Sequence, residues 1–331
     1  MQLQPLIQEL ENQKAQKWDK KILSREVKMI EEKPCLALGA ESPYELTASC
    51  HNQLADKLEI PTKYYQKMMI SDPKLLATNV NTWLNRQEDE SFFIRGIANR
   101  IRAVLSPSYR VIDNYNVLMC SLTEMQAQNI EIEDCHLSET GMFVKIRSNQ
   151  MKDFVRHKGD EIIGGILVSN SETGHGAVNI KPRIFRVQCT NGMVLEKIAS
   201  RQIHLGNGNY TDAELLDDQV YLSIRQSIRE TFNQFGRIVI MLRESTEISI
   251  NEPVKIINNV VREYRMTEEQ KEQIIMSFGM ERDKTKYGIA NAITNAAQSQ
   301  NHFEKALEME RIGGRIIVMN NQRFKQLEYA A

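Results

Sequence analysis

Apolar residues in the first 16 positions recur at helical spacing. Leu3, Leu6, Ile7 and Leu10 fall on one side of a polar stretch and predict an amphipathic helix. Lys17 to Lys33 is charged and irregular and reads as an extended arm, and Leu36–Leu38 predicts a short strand. Helical signals follow. Thr47 is an N-cap with Leu54 and Leu58 in register, Ile60–Pro61–Thr62 breaks that helix and starts another, and Asp72–Pro73 starts a third that runs through Leu75, Leu76, Val80, Trp83 and Leu84.

The pattern then shifts toward period two. Phe92–Ile97 and Ile101–Leu105 predict two strands, and a helix near Asn114–Gln128 follows. Ile130–His136 and Met142–Arg147 flank the hairpin turn Ser138–Gly141, and Ile162–Ser169 and Val178–Cys189 flank the loop SNSETGHG. From Asp212 the chain reads as mostly helical. Gln219–Glu244 forms one long segment, Glu252–Tyr264 a second, Thr267–Gln270 opens a third with capping-box spacing, and Tyr287–Arg311 is a fourth ended by Gly313–Gly314 before a short strand, Arg315–Met319.

These elements predict an α+β fold: a largely antiparallel sheet of several hairpins packed with helices, and a helical C-terminal part. The expected organisation is an N-terminal helix and arm over 1–33, a core over 34–210, and a helical region over 211–331 packed on that core.

Composition narrows the function. The chain has 331 residues with 42 Lys+Arg against 43 Asp+Glu, so any polyanion site has to be local. No apolar run approaches the roughly 20 residues of a membrane helix, and the start, MQLQPLIQELENQKAQ, has no signal-peptide pattern. The expected setting is the cytoplasm of a bacterial host, with no membrane partner. Five cysteines at wide spacings without a CxxC indicate neither a disulfide framework nor a zinc ribbon. Cys50–His51 and Cys135–His136 are adjacent pairs, which lack the loop spacing of structural zinc sites.

Two stretches depart from the overall balance. Ser91–Arg110 carries Arg95, Arg100, Arg102 and Arg110 with no acid, beside Phe92, Phe93 and Tyr109. Lys181–His204 carries Lys181, Arg183, Arg186, Lys197, Arg201 and His204 against Glu196 alone. Basic side chains interleaved with aromatics suit a phosphate backbone with stacked bases. A plainer reading stays open, in which these arginines pair with the acidic runs Glu131–Asp134 and Asp212–Asp218. Cys189–Met193 contains an Asn-Gly turn whose Asn191 could meet a ligand, and Leu205–Tyr210 is a polar loop without dinucleotide-binding spacing. No P-loop, HExxH, GxSxG or EF-hand pattern occurs, and Glu31–Glu32–Lys33 is only a short echo of the nuclease acid-x-Lys pattern. Asn291 and Thr294 share a helical face, with close packing on the sheet as the first expectation.

Four segments in order, RIRAVLSPSYRVIDN, RVQCTNGM, RQIHLG and YGIANAIT, resemble the phage- and plasmid-borne family known as domain of unknown function 932. LADKLEIPTKYYQKMM and NVNTWL fit its N-terminal part, so the resemblance spans roughly residues 36 to 318. It implies a mobile-element context and no catalytic residues. At fold level a hairpin sheet crossed by a long helix is also similar to the ring-forming single-strand annealing proteins of phages.

The expectation is a protein of mobile-element DNA metabolism that binds or anneals single-stranded DNA, without catalysis or cofactor, and forms a homo-oligomer. Arg95, Arg100, Arg102, Tyr109 and Arg110 would form one wall of a groove. Arg183, Arg186, Lys197 and Arg201 would form the other, with Asn191 and His204 as further nucleic-acid contacts. A metal-dependent nuclease and a host-takeover or anti-defence factor that binds another protein are the alternatives.

Overall fold

A computed structural model describes residues 1–87, 89–126, 129–196, 201–203 and 213–329. The chain opens with helix α1 (Leu3–Gln16), followed by strands β1 (Lys17–Leu23), β2 (Val27–Met29), β3 (Leu36–Leu38) and β4 (Glu45–Leu46). Helices α2 (Ala48–Lys57), α3 (Thr62–Ser71) and α4 (Pro73–Arg86) come next, then β5 (Ser91–Ile97) and β6 (Arg100–Leu105). These strands form a sheet of order β1-β5-β6-β4 beside the small β2-β3 ribbon. With α2–α4 they close an N-terminal lobe around Leu36, Leu38, Leu54, Tyr65, Leu76, Val80, Ile94 and Ile101.

The central sheet is a meander of β7 (Ile130–Leu137), β8 (Met142–Phe154), β9 (Glu161–Asn170), β10 (Val178–Arg186) and β11 (Asn191–Val194), antiparallel throughout, and β12 (Arg201–Ile203) also pairs with β10. Helix α5 (Asn114–Met125) precedes it and α6 (Ala213–Asn233) follows. One face, with Val144, Ile146, Ile166, Val168, Val178 and Ile180, packs against α1, α5 and α6. At the end of the sheet, Ile162, Ile184, Met193 and Leu195 join the largest core. They share it with α7 (Phe235–Thr246), α8 (Pro253–Glu263), α9 (Glu268–Glu281), α10 (Lys286–Ala296), α11 (Phe303–Val318) and the short α12 (Asn321–Gln326). The α+β fold with antiparallel sheets and a helical C-terminal part is thus the one expected.

Three local readings change. The arm after α1 is strand β1, the lysine-rich edge of the first sheet, where charge blunts an exposed edge and blurs the alternation. The segment Gln219–Glu244 is two helices, α6 and α7, and Tyr287–Arg311 is likewise split between α10 and α11. Gly313–Gly314 lies inside α11, which continues to Val318 in place of the expected strand. A Cβ on Gly313 would sit 2.3 Å from Thr294 Cγ2, and one on Gly314 would sit 1.9 Å from Val194 O. These glycines permit close packing of α11 on α10 and β11, and they cap nothing.

Candidate nucleic-acid interface

The arginines expected to line the first wall divide by burial. Arg95, on β5, is 2% exposed and holds Asp113 at 2.8 Å and Asp19 at 3.6 Å. Arg102, on β6, is also buried and donates to Glu172 at 3.1 Å. Glu172 is the hub. It accepts from Lys17 Nζ at 2.5 Å and from the backbone N–H of Asn114 at 2.7 Å. Burial pushes the Asp113 carboxyl up, but Lys17 and Arg95 hold it below the usual range. Burial pushes Asp19 up. Tyr109 is partly buried and donates its hydroxyl to Ser171 O, while Arg100 and Arg110 are exposed. Buried arginines that already hold carboxylates are not a groove wall, because a phosphate would first have to displace those carboxylates.

Of the second wall, Arg183, Arg186 and Asn191 are buried as well. Arg183 and Arg186 leave β10 on opposite faces, as residues three apart on a strand must. Arg183, 2% exposed, forks onto Glu133 at 2.5 and 2.8 Å and onto Glu310 of α11 at 3.0 and 3.1 Å. Lys145 adds a contact to Glu310 at 2.8 Å. Burial pushes the Glu310 carboxyl up, and Arg183 and Lys145 together hold it below its ordinary value. Of the two acidic runs expected as partners, Glu131–Asp134 is used, by Arg183 and by Arg147, and the side chains of residues 212–217 lie outside the described part. Lys197 and His204 lie outside the described residues, as do loop residues 205–210 and residue 212, and only the backbone of Arg201 is described.

Arg186 belongs to a third polar centre, where RVQCTNGM meets YGIANAIT. It holds Asp160 at 2.7 Å and Glu281 at 2.7 and 2.8 Å, over the ring of Tyr287. Asn191 Nδ2 donates to Thr294 Oγ1 at 2.5 Å. Burial and Glu281 push the Cys189 thiol up to about 11, so it keeps its proton and donates it to Glu281 at 2.8 Å. Asp160 Oδ2, Asn191 Oδ1 and Asn291 Nδ2 have no hydrogen-bond partner among the described residues. Asn191 and Asn291 line a cavity of about 10 Å³, the size of one water. An open polar cleft of about 270 Å³ lies next to it, lined by Arg156, Asp160, Arg186, Glu281 and Asp283. Among the described residues no group of three His, Cys, Asp or Glu is placed to hold a metal.

The Arg186 centre and the Glu172 hub lie at opposite ends of β9, whereas Arg201 on β12 pairs with Ile180, nearer the Glu172 end. Arg186 is paired with Ile162 at the start of β9, and Glu172 follows the far end of that strand. Ten residues of extended chain at about 3.3 Å each separate the two centres by roughly 30 Å.

Among the described residues an exposed positive surface lies on α3 and α4. Residues 62–86 carry Lys63, Lys67, Lys74 and Arg86 against one acid, Asp72, a net of +3 in a chain of net −1. Asp72 is engaged in capping, since its side chain accepts from Leu75 N at 3.0 Å. All four cations are exposed, Lys74 lies 3.7 Å from Glu31, Tyr64 at 45% and Trp83 at 37% lie on the same two helices, and Arg86 stacks on the Trp83 ring. The sequence reading passed over this surface because its charges are spread at helical spacing, while Ser91–Arg110 is dense along the chain.

No helix among the described residues is long and apolar enough to cross a membrane. The family model of the domain of unknown function (DUF932) matches residues 102–312, so the segments expected to carry the resemblance from Arg102 onward fall within it and α2–α4 precede it. No curated protein and no solved structure matches the chain.

Proposed function

We propose that this chain, which belongs to the domain of unknown function (DUF932) family, is a DNA-binding protein of mobile-element DNA metabolism. The observation that carries the reading is the net +3 surface of α3 and α4, with its exposed aromatics and four exposed cations. Phosphates bind such a surface by releasing counterions, so affinity falls steeply with salt. Arg100, at the start of β6, and Arg110, after it, are further exposed cations. The Trp83–Arg86 pair and Tyr64 offer flat faces for unstacked bases, which favours single-stranded DNA and its annealing as the specific form of the activity.

Anisotropy of fluorescent single-stranded and duplex oligonucleotides across a salt series, with and without Mg²⁺, tests this. The variant with Lys63, Lys67, Lys74 and Arg86 all changed to alanine should lose about 3.6, at about 0.9 per cation, from the slope of log affinity against log salt. Replacing the buried Arg186 should leave that slope unchanged in whatever protein remains folded. An unaltered slope in the quadruple variant, or no binding at low salt, refutes the reading. A fall in signal that requires Mg²⁺ would replace it with a nuclease.

A further inference from the structure

The connection between α2 and α3 has the build of a reading head. Four residues, Leu58–Pro61, join the two helices. Leu54 and Ala55 from α2, Leu58 and Ile60 from the turn, and Tyr65 and Met68 from α3 are all at most 5% exposed. They form one small core that fixes the angle between the helices. Ala55 is a side chain small enough for close approach, and Ile60 N donates back to Ala55 O at 2.9 Å. Glu59 takes the left-handed conformation, φ 54°, that a sharp reversal needs. His51 Nδ1 and the Tyr65 hydroxyl, 2.9 Å apart, tie the first helix to the second. Helix α4 closes the third side through Leu76, Ala77 and Val80.

The outer face of α3 holds no acid. Thr62, Lys63, Gln66, Lys67 and Ile70 point away from the core, and Ile70 is 81% exposed. Gln66 Nε2 is steadied by Asn52 Oδ1 of α2 at 3.3 Å.

We infer that α2 and α3 form a helix–turn–helix whose second helix enters the major groove of duplex DNA. Two helices joined by a three- to four-residue turn, with the second presenting its N-terminal side chains to base edges while the first crosses the backbone, define that mode. Lys63 and Lys67 supply cations for phosphate or guanine, the Gln66 amide matches adenine, and Ile70 offers an apolar contact for a thymine methyl. This inference rests on the DNA-binding reading but takes duplex, in place of the single strand favoured above, as the ligand, with base readout by α3 as the means.

The test is selection of wild-type protein and variants against a random-sequence duplex library, followed by affinity measurements on the recovered duplex and on one of its strands alone. Wild type should enrich a short motif, and Gln66→Ala should lose or change it. Lys63→Ala with Lys67→Ala should weaken duplex binding at least about tenfold and lower its salt slope by about 2. Lys255→Ala, exposed on α8, should do neither. These α3 side chains lie outside the core, so thermal melts should match wild type. Single-strand binding without duplex binding, no enriched motif, or duplex binding that both α3 variants leave intact would overturn the inference while DNA binding stood. Failure to bind either probe would remove both.

Discussion

Glu310 illustrates what burial does to a charged residue here. The residue is 6% exposed and neutralises two buried cations, Lys145 and Arg183, the second of which it shares with Glu133. Removing one partner from a buried set costs more than the set itself contributes, because the desolvation of the rest goes uncompensated. Glu310→Ala should therefore lower unfolding free energy by about 3–5 kcal/mol in denaturant titration, whereas Arg147→Ala, in a partly exposed pair, should cost under about 1 kcal/mol. His51 gives a pH signature. Burial lowers its pKa from 6.5 to about 4, so between those values the unfolded chain binds the proton and the folded chain does not. Stability is complete above pH 6.5, falls as pH drops through that window, and stops falling below about 4. The loss is at most about 3 kcal/mol. His51→Gln, which keeps a hydrogen-bonding group toward Tyr65, should show a smaller decline between pH 6.5 and 4.5.

At the scale of elements, two glycines in helices make opposite predictions. A Cβ on Gly314 would press on the Val194 carbonyl of β11, a backbone atom that cannot swing aside, so Gly314→Ala should destabilise by about 2 kcal/mol or more. Gly279 of α9 is exposed with open space around it, so Gly279→Ala should stabilise by about 0.5–1 kcal/mol. Equal melting temperatures for the two variants would defeat this account. The same contrast explains what could be read beforehand. Thr47, Asp72 and Thr267 cap helices as expected, because a cap is settled by residues three apart. Gly313–Gly314 could not be read from the chain, since its cause lies on α10 and β11. The arginines follow the same rule. Their density along the chain was visible, but Arg102 finds Glu172 70 residues away and Arg183 finds Glu310 127 residues away. Burial depended on partners that no local pattern displays. The α3 face is legible in principle in LADKLEIPTKYYQKMM, whose apolar spacing fits two helices packed across a short turn.

At the scale of the molecule, the N-terminal lobe and the central sheet have separate apolar cores, and polar contacts join them. The loop SNSETGHG reaches from β9 into the lobe. Thr173 O accepts from Gln53 at 2.6 Å, His175 meets Ser49, and Glu172 ties Lys17 and Arg102 to the N-terminus of α5. A lobe held by an ionic clasp should open without unfolding its neighbour, since breaking the clasp exposes little of either core. Glu172→Gln keeps a side chain that can accept from Asn114 N but removes the charge that balances Lys17 and Arg102. Hydrogen exchange should then quicken in β1 and β6 while β8–β10 stay protected, and thermal unfolding should separate into two steps. If exchange rises equally in both sheets, or in neither, the clasp is not what couples them. If the lobe does loosen alone and α3 is the DNA-reading helix, Glu172→Gln should still bind duplex, since α2–α4 keep their own core, and only the mechanical link from bound DNA to the central sheet should be lost.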